Sequence, residues 1–217
     1  MKRLFIAGFA CLLVGMLATA FTPPTGDLSS EILQKSKAEL ESLQDLTAQF
    51  TYQIESPQMK QAIAKKGALK YKGGMYQIDL PGQKIYCDAQ TMWIYLVDDL
   101  EVNILEYDPE DALSPESIFQ IYETSAKSRY EGEETVHGVK SHKIFLAIQD
   151  ERLDYNQAYV WINKRSNLLE KMSVINRNQT TTTYEFSQIK TNSGYDRNDF
   201  VLQVESLPAD VEVYDER

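Results

Sequence analysis

The sequence predicts a mainly β protein: a single antiparallel sheet curled into an open half-barrel, with two or three short helices as a lid over an apolar cavity. Three observations carry this. Short segments of alternating apolar and polar residues recur from Ala48 onward, separated by turn residues, the signature of hairpin-connected strands. The segment Cys87 to Ile104 reads as a hairpin whose first strand is apolar on both faces: Met92, Ile94 and Leu96 point one way and Trp93, Tyr95 and Val97 the other. Helical periodicity is confined to two short stretches, and a long antiparallel sheet tends to curl to hide its edges.

Asp27 or Ser29 caps a helix running to about Leu43, with Leu28, Ile32, Leu33, Leu40 and Leu43 on one side. This amphipathic helix is expected to lie on the sheet. Ala48, Phe50, Tyr52 and Ile54 then alternate with Gln49, Thr51 and Gln53, marking the first strand. Glu55 to Lys66, with Pro57 and a cluster of Gln and Lys, reads as a polar loop. A meander follows over Ala68 to Tyr71, Met75 to Leu80, Lys84 to Cys87, Thr91 to Val97 and Glu101 to Tyr107, punctuated by Gly73-Gly74, Pro81-Gly82, Asp88-Ala89 and Asp98-Asp99. Asp108-Pro109 breaks it, and Ser114-Pro115 starts a short helix crowded with Ile118, Phe119, Ile121 and Tyr122. Strands resume through Tyr130 and over Val139 to Ile148, Gln157 to Asn163, Leu168 to Asn176, Thr180 to Lys190 and Phe200 to Val204.

Lys2 and Arg3, the apolar run Leu4 to Leu17 and Ala18-Thr19-Ala20 form the pattern of a cleaved secretory signal peptide, residues 1–20. The run is shorter than the roughly 20 residues a membrane-spanning helix needs. The remainder, residues 21–217, suits one domain. Cleavage removes Cys11 and leaves Cys87 as the one mature cysteine, so no internal disulfide is possible. The whole chain carries a formal charge of −10, which becomes −12 without Lys2 and Arg3. Such a chain is expected to be repelled by phosphate backbones and by anionic membranes, which excludes nucleic acid as a partner.

No constellation points to catalysis or to a cofactor. The nucleophile-and-base pairs, Gly-rich phosphate loops and paired-cysteine motifs that signal such chemistry are absent from the sequence. His137 and His142 are an odd number of residues apart and on one strand would face opposite sides, so they read as surface or turn histidines rather than a joint zinc site. Cys87 alternates with Ile85 and reads as a buried structural cysteine. The acidic residues from Asp98 to Asp111 lack the glycine and register of a calcium loop and read as a solvated rim. Asn178-Gln179-Thr180 matches a glycosylation acceptor only in a host that glycosylates.

What remains is surplus apolar surface: thirteen tyrosines, eight phenylalanines and two tryptophans on a thin sheet protein. Together they favour a container for an acyl chain, since burying each methylene contributes about 0.8 kcal/mol.

The residues that support this reading resemble one family. SLQDLTAQFTYQI is similar to its helix-into-strand start, CDAQTMWIYLVDDLEV to its Ser-Asp-Gly-x-x-Leu-Trp-x-Tyr strand pair, SPESIFQIYE to its lid helix, and FVLQVESLPADVEV to its C-terminal strand and Pro-x-x-Val turn. The family is that of the periplasmic outer-membrane lipoprotein carriers (LolA-like). The resemblance implies an open barrel and helical lid around an apolar cavity that takes lipoprotein acyl chains. It also implies an inner-membrane release complex, an outer-membrane acceptor and a monomeric, periplasmic carrier. Phe50, Tyr76, Trp93, Tyr95, Ile118 and Phe119 fall where the family places barrel and lid residues. With the apolar neighbours Leu40, Leu43, Tyr52, Ile78, Ile121 and Tyr122 they make up the expected cavity and lid. The chain departs from the pattern at Lys72-Gly73-Gly74, where many members carry an Arg that holds the lid. Two other readings stay open: a carrier of free fatty acids or other lipids, and a non-enzymatic module that docks or senses envelope proteins.

Overall fold

The computed structural model describes residues 27–108, 125–149 and 153–217. Its first element, α1 (Leu28–Ser42), starts at Asp27, whose carboxylate accepts from the Ser29 amide at 3.2 Å. That bond satisfies one of the donors a helix start leaves open. Glu31 in the first turn, paired with Lys35 at 2.7 Å, adds the favourable charge order for a helix N-terminus. The Ser29 hydroxyl bonds Ser128 Oγ at 2.7 Å and so ties the start of α1 to a distant strand. At the other end Leu43 turns extended.

Twelve strands follow in one open sheet: β1 (Leu46–Glu55), β2 (Ile63–Lys72), β3 (Met75–Leu80), β4 (Gln83–Cys87), β5 (Thr91–Leu96), β6 (Glu101–Glu106), β7 (Ser125–Val136), β8 (Val139–Ile148), β9 (Tyr155–Asn163), β10 (Leu169–Asn176), β11 (Thr181–Thr191) and β12 (Glu212–Asp215). Their order is β12-β6-β5-β4-β3-β2-β1-β11-β10-β9-β8-β7, so two meanders are joined where β1 pairs with β11. Every pairing is antiparallel except β12 with β6, and the sheet ends at β7 and β12 without closing into a barrel.

Register follows from the hydrophobic pattern, because slipping one residue would turn every apolar side chain outward. Phe50 opposes Phe186, and Ala48 opposes Leu69. Gly67 opposes Phe50, and a Cβ there would lie 2.5 Å from the Phe50 ring and 2.7 Å from the Asp79 carbonyl. Only glycine lets these strands and that ring coexist.

One face of the sheet carries α1. Ile32 and Leu33 pack there on Ile144, Leu146, Val160, Ile162 and Met172, while Leu40 and Leu43 pack on the cluster built around Phe50, Leu69, Tyr76 and Phe186. The opposite face is covered in two ways. Over β5 and β6 lies the C-terminal segment, whose Leu202 is buried with Trp93, Tyr95, Val102 and Ile104. Over β8 to β10 the cover is made of cations: Lys143 stands 5.2 Å and Lys171 5.0 Å from the Trp161 ring, and the indole N–H donates to Glu134 at 2.7 Å. Aliphatic stems and cation–π contacts there replace a second layer.

Two expected elements differ. The loop over Glu55 to Lys66 is shorter, because β2 already begins at Ile63: Ile54 pairs with Ile63 and Tyr52 with Lys65, and the polar run masked the alternation. Phe200 to Val204 is no strand: Phe200 ends one 3-10 turn, Arg197–Phe200, Val204 begins another, Val204–Ser206, and residues 201–203 are irregular between them. Asp196 caps the first, accepting from the Asn198 amide at 2.7 Å while Asp199 accepts from the Asp196 amide at 2.8 Å. The apolar residues that suggested a strand serve as packing instead. The expected second helix, with Ile118, Phe119, Ile121 and Tyr122, lies outside the described residues.

Candidate functional site

Between the C-terminal half of α1 and the sheet lies a cavity of about 50 Å³, lined by Ser36, Leu40, Ala48, Leu69, Tyr71 and Phe186 with Leu46, Leu168, Leu169 and Ile189. Its walls come from α1, β1, β2, β10 and β11, elements that meet only because β1 sits between β2 and β11. This volume holds a few water-sized groups, far below the ~300–1,000 Å³ of pockets that enclose a drug-sized ligand. It is the inner end of a larger surface. From it the same face runs outward through half-buried Tyr52, Ile78, Leu80, Ile94 and Leu105, which pack on the cluster around Phe50.

This face is apolar and uncharged along its centre. Tyr52 and Tyr184 lie with ring centroids 5.2 Å apart. Burial, with the neighbouring Tyr52, pushes the Tyr184 phenol up to about 12, and burial also raises Tyr52. Both stay neutral at any physiological pH. Ser36 is 1% exposed and its hydroxyl has no hydrogen-bond partner among the described residues.

The expected site residues divide into three groups. Leu40 lines the cavity, Leu43, Tyr52 and Ile78 are partly buried on the same face, and Phe50 is buried beneath it against Phe186 at 6.2 Å. Tyr76 belongs to that face but is 1% exposed, with its hydroxyl 3.5 Å from Met92 Sδ, so it is core rather than surface. Trp93 and Tyr95 point away. They oppose Ile104 and Val102 and lie under Leu202, on the side without the cavity. The two-sided β5 thus has its Met92 and Ile94 side toward the cavity face and its Trp93 side closed by the chain's own C-terminal segment. The grouping of Trp93 and Tyr95 with the cavity is thereby corrected.

Sequence reasoning missed Ala48, Leu69, Phe186 and Ile189. Alternation with Phe50 signals Ala48, whereas Phe186 and Ile189 join the site only through the β1–β11 pairing. Cys87 is fully buried, opposite Tyr76 and Met92. His142 Nδ1 lies 3.2 Å from the Tyr130 hydroxyl and His137 Nε2 3.2 Å from Glu185 on the other side. Among the described residues no group of three His, Cys, Asp or Glu side chains could hold a metal ion, and no helix is long and apolar enough to cross a membrane.

At the rim of the site Asp45, 1% exposed, accepts from the amides of Ser193, Gly194 and Tyr195 at 2.6, 2.8 and 3.2 Å. Burial works to raise its pKa, but these three donors and the nearby Lys72 bring it below the usual carboxylate value. Lys72, next to Gly73 where the expected lid Arg is missing, donates to the Tyr195 carbonyl. Asp45 and Lys72 therefore clasp the connection that leads into the C-terminal cover.

Residues 41–203 match the family described as outer membrane lipoprotein carrier protein LolA. The chain belongs to this family. A search of curated protein sequences finds no match. Among solved structures, an uncharacterized conserved protein from Thermus thermophilus is similar at 11% identity and a TM-score of 0.57, covering 85% of this chain and 97% of its own. The lipoprotein LppX of Mycobacterium tuberculosis is similar at 12% identity and a TM-score of 0.52, covering 77% of this chain and 96% of its own. At such identities the likeness is one of fold.

Proposed function

We propose that this LolA-family chain is a periplasmic, non-enzymatic carrier that shields the acyl chains of lipoproteins and moves them from the inner to the outer membrane. The observation that supports it is the apolar, uncharged face of β1 to β6 and β11, half-buried at Tyr52, Ile78 and Ile94 and opening from a cavity under α1. Such a face suits a flexible hydrocarbon chain, whose recognition needs buried area rather than directed polar contacts. On this reading residues 1–20 are removed on export, residues 21–217 act as one monomeric domain, an inner-membrane complex loads the carrier, and an outer-membrane acceptor unloads it. The residues expected to form the carrier's lid, Ile118, Phe119, Ile121 and Tyr122, lie outside the described residues.

The test is photocrosslinking in intact cells with a crosslinkable residue at Ile78, and the same residue at Trp93 as the control facing the C-terminal cover. Lipoprotein adducts from position 78 alone support the carrier. Free-lipid adducts alone change the cargo to fatty acids or envelope lipids. No adduct from either position refutes an acyl container and favours the docking module.

A further inference from the structure

The β1–β2 hairpin tip is chemically unlike the rest of the chain. Lys60, Lys65 and Lys66 are exposed there, and none has an ion-pair partner among the described residues. Glu55 is the one carboxylate between residues 53 and 67, in a chain whose formal charge is −10. Beside these cations Ile63 is 49% exposed, one of the few large apolar side chains left in solvent among the described residues.

The tip's backbone is open as well. β3 pairs with β2 only from Ala68 onward, so Ile63 to Lys66 have no strand on that side among the described residues. On the other side β1 stays paired to β11 as far as Glu55, which holds the hairpin firm. Alternation places Ile54, Ile63 and Lys65 on the same face as Phe50, Tyr52 and the cavity. The apolar face therefore leads from the cavity under α1 to a rim carrying Ile63 and Lys65, with Lys60 in the adjoining loop and Lys66, opposite Thr51, on the other face of the same hairpin.

We propose that this rim docks the protein on an anionic lipid surface. Lysine ammonium groups meet the headgroup phosphates, and Ile63 enters the boundary between headgroups and acyl chains. The charge sign selects an anionic partner, and the adjoining exposed isoleucine on the acyl-facing side favours a bilayer over an acidic protein. Screening makes the contact compatible with the negative net charge: at physiological salt the Debye length is about 8 Å, so the surface senses the rim rather than the distant acidic residues. The proposal rests on the carrier reading for its use, since it brings the open end of the acyl face to the membrane from which a chain is taken or to which it is given.

The test is sedimentation of the exported chain, residues 21–217, with phosphatidylcholine vesicles with and without phosphatidylglycerol, at low and physiological salt, wild type and variants side by side. The wild type is expected to bind the anionic vesicles in a salt-sensitive manner. Each Lys→Gln change is expected to weaken partitioning about fivefold, and K60Q/K65Q/K66Q together roughly a hundredfold. I63S is expected to weaken it with little effect on the salt dependence. All these side chains are exposed, so unchanged thermal unfolding serves as the folding control. Equal binding by the triple variant, or no salt-sensitive binding by the wild type, overturns the proposal. So does a photocrosslinker at Lys65 that captures an acidic envelope protein in cells while vesicles fail to bind. Uptake of a fluorescent acyl probe in vesicle-free solution separates the two readings: the triple variant retains it, whereas failure of the wild type to take up probe refutes the carrier without deciding the docking surface.

Discussion

Replacing Asp45 by alanine tests whether the clasp over the C-terminal connection holds the fold together. The carboxylate is 1% exposed and accepts three backbone N–H bonds, at 2.6, 2.8 and 3.2 Å. A hydrogen bond to a charged group contributes about 1.5–3 kcal/mol net, and a buried donor left unsatisfied costs about 1–3 kcal/mol. The three bonds share one acceptor and one loop, so they do not add in full; Asp45→Ala is expected to lower stability by about 3–5 kcal/mol at pH 7. Asp45→Asn keeps one acceptor oxygen and is expected to lose about half of that. The pH dependence follows from the direction of the shift. The folded pKa lies below the ordinary aspartate value of 3.8, so the stabilisation is fully present above the unfolded pKa and is lost as pH falls through the folded one. The wild type should therefore exceed Asp45→Ala by the full margin at neutral pH, and the margin should shrink in acid. Urea unfolding of both proteins from neutral to strongly acidic pH measures this. A difference below about 1 kcal/mol at neutral pH, or one that does not shrink in acid, would refute the reasoning.

A glutamate on either side of the cavity-side sheet should have opposite consequences: Ile78→Glu is expected to keep the fold while acyl-probe uptake falls at least tenfold, and Trp93→Glu, buried under Leu202, to lose about 3–5 kcal/mol in urea unfolding. Gly67→Ala places a Cβ 2.5 Å from the Phe50 ring and 2.7 Å from a backbone carbonyl and should destabilise by about 1–3 kcal/mol; an unchanged melting temperature would show that the strands part easily. Ser36 buries a hydroxyl without a partner among the described residues, so Ser36→Ala should be neutral or raise stability by up to about 1 kcal/mol, read by thermal unfolding. A clear loss would mean the hydroxyl is satisfied in solution.

Alternation along Ala48 to Ile54 and through the meander, with short turns between, was enough to predict a single antiparallel sheet, because alternating apolar and polar residues give a strand one buried and one solvated face. Asp27 and the spacing of Ile32, Leu33 and Leu40 likewise located α1 and its buried side. The lengths of β2 and the C-terminal turns were less legible: the polar run before Gly67 hid a paired strand, and Phe200 to Val204 has strand-like composition but packs side chains on Trp93 rather than pairing its backbone. At the site, Leu40 and Phe50 were readable from their own elements, whereas Phe186 and Ile189 were not.

The residue pattern alone thus determined that β5 is apolar on both sides and that each side needs a cover, since water leaves neither exposed. Only the tertiary structure decided which cover goes where. The C-terminal segment, clasped by Asp45 and Lys72, lies over Trp93 and Tyr95, and α1 with β11 encloses the cavity on the side of Met92. The physical reason is that local periodicity specifies faces but not partners. The contacts that choose between two equivalent apolar faces, Asp45 with residues 193–195 and β1 with β11, join residues more than a hundred positions apart.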